Sequence, residues 1–252
     1  MTHRSRMIAA RLTCTTLAAG LACLAAGGCG PERDTEVRLV SPFAARMTFA
    51  VAPAMNFSGS RDFDPLQVSD LFASELGDVD NLTVLPVNRV LAELARQRTP
   101  QIGSPGHAVE TARALGADGL FVLGITEHDP YDPPVVGLAV QLYCPGTAAG
   151  PPTIDPLAAT RQARPLDVAA TADRGLLPRL QVQRVYNAAH GATARRVKAY
   201  ARRRSADASP YGWRKYLKSQ RLYLRFCCWA AIAEMLGGDD GPAPRDDPYG
   251  AG

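Results

Sequence analysis

Between Asp118 and Thr126 the chain reads Asp-Gly-Leu-Phe-Val-Leu-Gly-Ile-Thr. Consecutive residues of a strand point to opposite faces of the sheet, so a strand that is apolar at every position can leave neither face in water. Layers must cover this strand on both sides, which argues for an α/β architecture rather than a one-sided antiparallel sheet.

The flanking segments supply those layers. Met47 to Pro53 is an apolar run of strand length closed by a proline. Asp64-Pro65 then opens a helix in which Leu66, Ser69, Phe72, Ala73 and Leu76 recur at helical spacing until Gly77. Leu82 to Val87 reads as a second strand, and Asn88 as the cap of a helix carrying Val90, Leu91, Leu94 and Ala95. A further helix is expected from His107 to Leu115, strands at Val135–Tyr143 and Leu180–Tyr186, and helices at Ala192–Arg204 and Tyr211–Leu236. The expected fold is therefore α/β, a mixed sheet of about five strands with helices packed on it, plus a C-terminal helical region.

The first residues carry Arg4, Arg6 and Arg11 with no acid, and Leu12 to Ala26 follows as an uncharged run. About fifteen residues is short of the roughly twenty that a membrane-spanning helix needs, so the layout is that of a signal peptide. It ends in Leu24-Ala25-Ala26-Gly27-Gly28-Cys29. Small residues ahead of a cysteine suit lipoprotein signal peptidase, and the Cys29 thiol would carry the diacylglycerol, with palmitate among the acyl chains. Gly30 is not the Asp that marks inner-membrane retention in enteric bacteria. The expected location is the inner leaflet of the outer membrane, facing the periplasm. The chain divides accordingly into a signal peptide (1–28), a lipidated tether (29–46), an α/β domain (47–186) with an irregular Pro- and Ala-rich insertion (145–179), a basic helical region (187–237) and a disordered tail (238–252).

The net charge of +4 conceals a polarised chain. Gly30 to Thr160 holds eight Arg against sixteen Asp and Glu, whereas Arg161 to Arg225 holds sixteen Arg and Lys against three Asp. Opposite halves imply intramolecular pairing, head-to-tail assembly, or a basic face towards an anionic partner. Arg214, Lys218, Arg221 and Arg225 follow one another at steps of four, three and four, which on one continuous helix makes a basic face beside an apolar stripe of Trp213, Leu217, Leu224, Cys228, Ala231 and Met235. An anionic lipid or polymer is the partner chemistry such a face suits, and nucleic acid is not expected outside the cytoplasm. Cys144, Cys227 and Cys228 are expected as buried thiols, with a disulfide from Cys144 to one of the other two left open.

Three segments carry a family resemblance. Phe49-Ala50-Val51-Ala52-Pro53-Ala54-Met55-Asn56-Phe57-Ser58-Gly59 resembles the opening strand and loop of the curli-secretion lipoprotein family and of its relatives in exopolysaccharide export and TolB-like N-terminal domains. Leu82 to Leu91 resembles their second strand entering its helix, and Ala114 to Gly124 their helix stop and third strand. From Val185-Tyr186-Asn187-Ala188 onward the chain is also similar to uncharacterised envelope lipoproteins. The resemblance implies a small non-enzymatic α/β domain in envelope assembly or export, acting with an envelope protein or as a homo-oligomer. No pair of long alternating hairpin strands suited to a membrane barrel is present in the sequence.

Candidate chemistry is sparse. Glu127-His128-Asp129-Pro130-Tyr131-Asp132 gathers a histidine and carboxylates near the end of a strand, where ligands bind in α/β sheets. His128, Asp129 and Asp132 therefore form a candidate loop site, read first as a structural or partner-binding turn. The alternative is a metal-assisted hydrolase using His128 and Asp132. Asn56 to Arg61 lacks the phosphate-loop pattern, no Gly-x-Ser-x-Gly occurs, and no cofactor is expected.

Overall fold

The computed structural model describes residues 39–146, 176–204 and 209–237. Cys29, the leader, most of the tether, the bulk of the insertion and the tail lie outside them. Six strands form one sheet: β1 (Met47–Val51), β2 (Met55–Asn56), β3 (Leu82–Val84), β4 (Gly119–Asp129), β5 (Val135–Tyr143) and β6 (Leu180–Asn187). Their order is β3-β1-β4-β5-β6, with the short β2 pairing β4 beyond the end of β1. β1 runs parallel to both β3 and β4, β2 parallel to β4, and β5 antiparallel to β4 and β6, so the sheet is mixed.

The helices are α1 (Pro65–Gly77), α2 (Val87–Arg96), α3 (Pro105–Ala114), α4 (Gly191–Arg203), the single turn α5 (Lys215–Lys218) and α6 (Gln220–Leu236). The double burial expected of β4 is present, with its first seven residues all buried. Phe121, Leu123 and Ile125 join Phe49 and Val51 under α1 and α6. Leu120 and Val122 join Ala50 and Ala52 under α2 and α3, which contribute Val90, Leu94, Ala108, Val109 and Ala112.

Three sequence expectations are corrected. The second strand stops at Val84 and its helix starts at Val87, because Pro86 offers no N–H to a strand ladder and sets the φ of −58° that leads into the helix. β4 does not end at Thr126 but continues to Asp129. The last helix is two pieces, since Ser219 is extended (φ −108°, ψ 111°) between α5 and α6 and its hydroxyl caps α6 at Leu222 N. α6 is also buried nearly all round, from Tyr223 and Leu224 through Phe226 to Ala233 and Met235, so it is a core helix rather than an amphipathic one. It shares one core with the sheet, and Cys144, Cys227 and Cys228 are buried thiols without disulfides. Burial pushes each of these thiols up from its ordinary value.

A bulge in β4 decides which way its end faces. Ile125 pairs with Leu138 but Glu127 pairs with Gly137, so Thr126 is the extra residue. Parity is thereby inverted, and His128, opposite the buried Val136, turns to the α1/α6 side with Ile125. Gly137 makes room for this: a Cβ there would lie 2.4 Å from Thr126 Oγ1 and 2.9 Å from Glu127 N.

The α1/α6 layer is locked by a carboxylate. The Glu75 side chain on α1 is wholly inaccessible and is paired with Arg204, at 2.7 Å, and with Arg225 Nε of α6. Arg204 Nη2 also reaches Asp78 at 2.8 Å. A second carboxylate, Glu234 of α6, takes Arg184 from β6 at 2.8 Å and Arg196 from α4 at 2.7 Å.

Three outcomes are expected in urea unfolding. Gly137→Ala destabilises by about 1–3 kcal/mol, because backbone and a neighbouring hydroxyl must give way. Gly124→Ala costs less, since its Cβ meets only the ring of the part-exposed Phe57, which can swing aside. Glu75→Ala leaves Arg225 without a carboxylate and Arg204 with Asp78 alone at the core edge, and costs about 3–5 kcal/mol.

Candidate functional site

The carboxyl ends of the parallel strands point to one end of the domain. There the β2–α1 loop, the β4–β5 hairpin and the α5–α6 junction converge on His128. Asn56 organises the loop: its Oδ1 accepts from Ser58 N at 3.1 Å and from the Ser58 hydroxyl at 2.8 Å, and its Nδ2 donates to Ser60 O at 2.7 Å. This presents the Ser60 hydroxyl 3.3 Å from His128 Nδ1, while the Phe63 ring lies 4.5 Å from the imidazole, centroid to centroid. From the other side Gln220, the first residue of α6, places its Nε2 3.0 Å from His128 Nε2 and 2.7 Å from Asp62 O.

These contacts fix the imidazole's state. Gln220 Nε2 is a double donor, giving one hydrogen to Asp62 O and the other to His128 Nε2, which must then be an acceptor. The proton sits on Nδ1 and is donated to Ser60 Oγ. Ser60 Oγ also accepts from Asp62 N at 3.2 Å. Burial lowers the His128 pKa from 6.5, against the opposing pull of Asp62 and Asp129. The neutral ring is thus the form that the loop, the strand and the helix start hold between them. Because Nδ1 already carries its proton, His128 cannot take one from Ser60, and the pair is not a nucleophile with its base.

The sequence-derived residues are distributed as follows. His128 is at the centre of the cluster and Asp129 is exposed beside it, its Oδ1 accepting from Tyr131 N at 3.0 Å. Asp132 does not face His128 but forms an ion pair with Lys218. Among the described residues no three His, Cys, Asp or Glu side chains come together as a metal-holding group. The four cations that share one face of a continuous helix in the sequence are divided at Ser219. Lys218 is held by Asp132 and Arg225 by Glu75; Arg214 is exposed over the neighbouring Trp213 ring at 5.5 Å, and Arg221 is exposed.

Ser60, Phe63 and Gln220 were not singled out in the sequence. Only the bulge brings His128 to their side. A shallow concavity lined by Ala139, Gln141, Gln181, Gln183 and Val185 lies elsewhere, on the outer face of β5 and β6, and offers no nucleophile or acid–base pair.

Neither a protein-family model nor a curated protein sequence matches the chain. Solved structures overlap it in part. The Neisseria meningitidis lipoprotein GNA1162 is 15% identical with a TM-score of 0.36, over 65% of this chain and 99% of that one. The LpoB C-terminal domain from Salmonella enterica is 15% identical with a TM-score of 0.31, over 40% and 73%. The hypothetical protein CT253 from Chlamydia trachomatis is 14% identical with a TM-score of 0.34, over 76% and 98%. These overlaps are too loose for a function to be transferred across them.

The neutral His128 has a pH consequence. Its folded pKa lies below the unfolded value, so its contribution to stability is full above about pH 6.5 and is lost as the pH falls through the folded value. In chemical denaturation at pH 7.5, 6 and 5, His128→Asn is expected to be less stable than the parent at pH 7.5, and the gap is expected to narrow on acidification. A gap that stays constant across the three pH values would show that His128 is not held neutral.

Proposed function

We propose that this chain is a lipid-anchored protein of the bacterial envelope whose α/β domain works by binding rather than by catalysis. The observation that carries this reading is the leader ending in Leu24-Ala25-Ala26-Gly27-Gly28-Cys29. In this reading Cys29 becomes the acylated first residue. Two or three acyl chains give stable anchoring where one would not, and the domain faces the periplasm from the outer membrane. Among the described residues no helix is long and apolar enough to cross a membrane. The resemblance of Phe49 to Gly59, Leu82 to Leu91 and Ala114 to Gly124 to curli-secretion and TolB-like domains belongs to the same reading.

The binding surface is the end of the domain that carries the His128 cluster. Tyr131, at the tip of the β4–β5 hairpin, is 78% exposed, and Phe57 and Leu66 are exposed nearby on the loop and the first turn of α1. Aromatic side chains held out on well-braced loops suit a protein contact. The brace is the set of bonds through Asn56, Ser60, His128 and Gln220, with the Asp132–Lys218 pair at the hairpin. Acidic Asp62, Asp64, Glu127 and Asp129 rim this end, with Arg61 and Arg221 the neighbouring exposed cations. The partner is accordingly an envelope protein with a basic, apolar-centred face, or a second copy of this chain. A metal-assisted hydrolase at His128 and Asp132 has no geometric support, because Asp132 and both imidazole nitrogens are engaged elsewhere.

Mass spectrometry of the mature chain from cells is expected to find acylated Cys29 at the N-terminus, and Cys29→Ser to release the protein from membranes. Crosslinking in those cells is expected to capture a partner that Tyr131→Ala reduces at least several-fold. An unacylated N-terminus at another residue would remove the anchor, and capture unaffected by Tyr131→Ala would remove the proposed surface.

A further inference from the structure

We propose that the outward face of α4 is the surface by which the domain lies on the anionic phospholipid headgroups of the leaflet that holds its anchor; this rests on the lipid-anchor reading above. Arg195, Lys198 and Arg202 follow one another at steps of three and four along the helix and are all exposed, with Arg203 exposed beside them. None of the four forms an ion pair among the described residues, whereas Arg196 and Arg204 of the same segment are held by Glu234, Glu75 and Asp78. Arg203 is braced rather than neutralised, its guanidinium standing 5.4 Å from the centroid of the Trp229 ring. The exposed residue among these cations is Ala199, so the face has no large apolar side chain to insert. It suits contact with headgroups, not penetration of the acyl region.

The point at which the anchored segment joins the domain favours a membrane over an acidic protein as the occupant. The described chain begins at Leu39, whose carbonyl accepts from Asp80 N at 2.9 Å. Two residues earlier, Asp78 holds Arg204 at the C-terminal end of α4. The α4 face therefore ends where the chain from Cys29 arrives. Nine residues lie between Cys29 and Leu39, a reach of at most about 35 Å, so in the anchored reading the point where the chain enters the domain stays within that distance of the leaflet. Arg46 and Arg179 are exposed at the same end, Arg46 Nε bonded to Thr83 Oγ1 at 3.1 Å and Arg179 stacked 4.6 Å over Phe43. The exposed acids there are Asp78, taken by Arg204, Asp80, and Asp118, whose Oδ2 accepts from Thr48 N at 2.7 Å. The acidic rim of Asp62, Asp64, Glu127 and Asp129 lies at the opposite ends of the strands. An anionic surface thus favours contact through the α4 face and disfavours contact through the acidic rim.

The test uses the full acylated protein in vesicles of phosphatidylcholine alone and of phosphatidylcholine with about one third phosphatidylglycerol. A nitroxide is placed at Ala199→Cys or at Tyr131→Cys, and its collision with nickel chelated to lipid headgroups is measured; the native thiols within the domain are buried. The expected result is contact at position 199 only with phosphatidylglycerol, lost at high salt, and no contact at 131. Each cation near an anionic surface favours the docked state roughly fivefold, so replacing Arg195, Lys198, Arg202 and Arg203 by Gln is expected to shift the docked-to-free ratio by two orders of magnitude or more. Lys198→Glu alone, a milder change on an exposed site, is expected to shift it at least tenfold. A protein that floats with both vesicles but shows equal contact at 199 in each, or greater contact at 131, overturns the inference while leaving the anchor intact. One that floats with neither overturns the anchor reading itself, and the inference with it. Crosslinking to a protein that is lost on Lys198→Glu, with no headgroup contact at 199, assigns the face to an acidic protein instead.

Discussion

Burial of β4 on both faces is the constraint from which the rest of the domain follows. Its seven buried residues demand helices on either side, and the two coverings differ in kind. Under α2 and α3 the sheet presents small Ala50 and Ala52, which let two short helices sit close. On the other side Phe121 meets Phe49 edge to face and Phe72 at a tilt, both at a centroid separation of 5.4 Å, and a long helix buried nearly all round fills the layer. A helix of that kind cannot be an appendage. α6 has to be surrounded, which is why the C-terminal segment, α1 and the sheet share a single core.

Ion pairs make this arrangement specific where apolar packing alone would tolerate sliding. Much of the charge asymmetry visible along the chain is resolved inside the fold: Glu75 and Asp78 of the acidic half take Arg204 and Arg225 of the basic half, and Asp132 takes Lys218. Buried or half-buried pairs add little net stability over apolar residues, but each is costly to break, and each fixes the register of one element against another. Glu75 sets α1 against α6, and Glu234 sets α6 against β6 and α4.

The architecture was legible in the sequence because it rests on periodicity. The apolar run at Gly119–Ile125, the Pro-opened helix at Asp64-Pro65 and the alternation of β5 and β6 each follow from which side chains water excludes. What was not legible depends on single residues acting through space. Nothing in the local pattern marks Thr126 as a bulge, yet it inverts the parity of β4 and carries His128 to the side of Ser60 and Gln220. Helical spacing from Arg214 to Arg225 suggested a single basic face. One extended residue, Ser219, breaks it, and the apolar character of Tyr223 to Met235 on every side was the signal that this helix had little surface to offer. Charge counted along the chain does not say where on the fold the exposed cations stand.

Place is decided by which charges the fold consumes. A cation that meets a carboxylate within the domain contributes little to the field outside it, so the external field is set by the remainder. Pairing removes Arg96, Arg184, Arg196, Arg204, Lys218 and Arg225 from the basic set, and Glu75, Asp78, Glu93, Asp132 and Glu234 from the acidic set. Arg195, Lys198, Arg202 and Arg203, which form no ion pair among the described residues, lie along a helix that ends beside Asp78, and Asp62, Asp64, Glu127 and Asp129 lie at the carboxyl ends of the strands. In the lipid-anchored reading, loss of Arg4, Arg6 and Arg11 with the leader leaves a net charge of only +1, so the arrangement of these groups matters more than their sum. If α4 faces the leaflet, as proposed, that arrangement turns the braced hairpin carrying Tyr131 away from the surface, towards whatever the domain is positioned to meet.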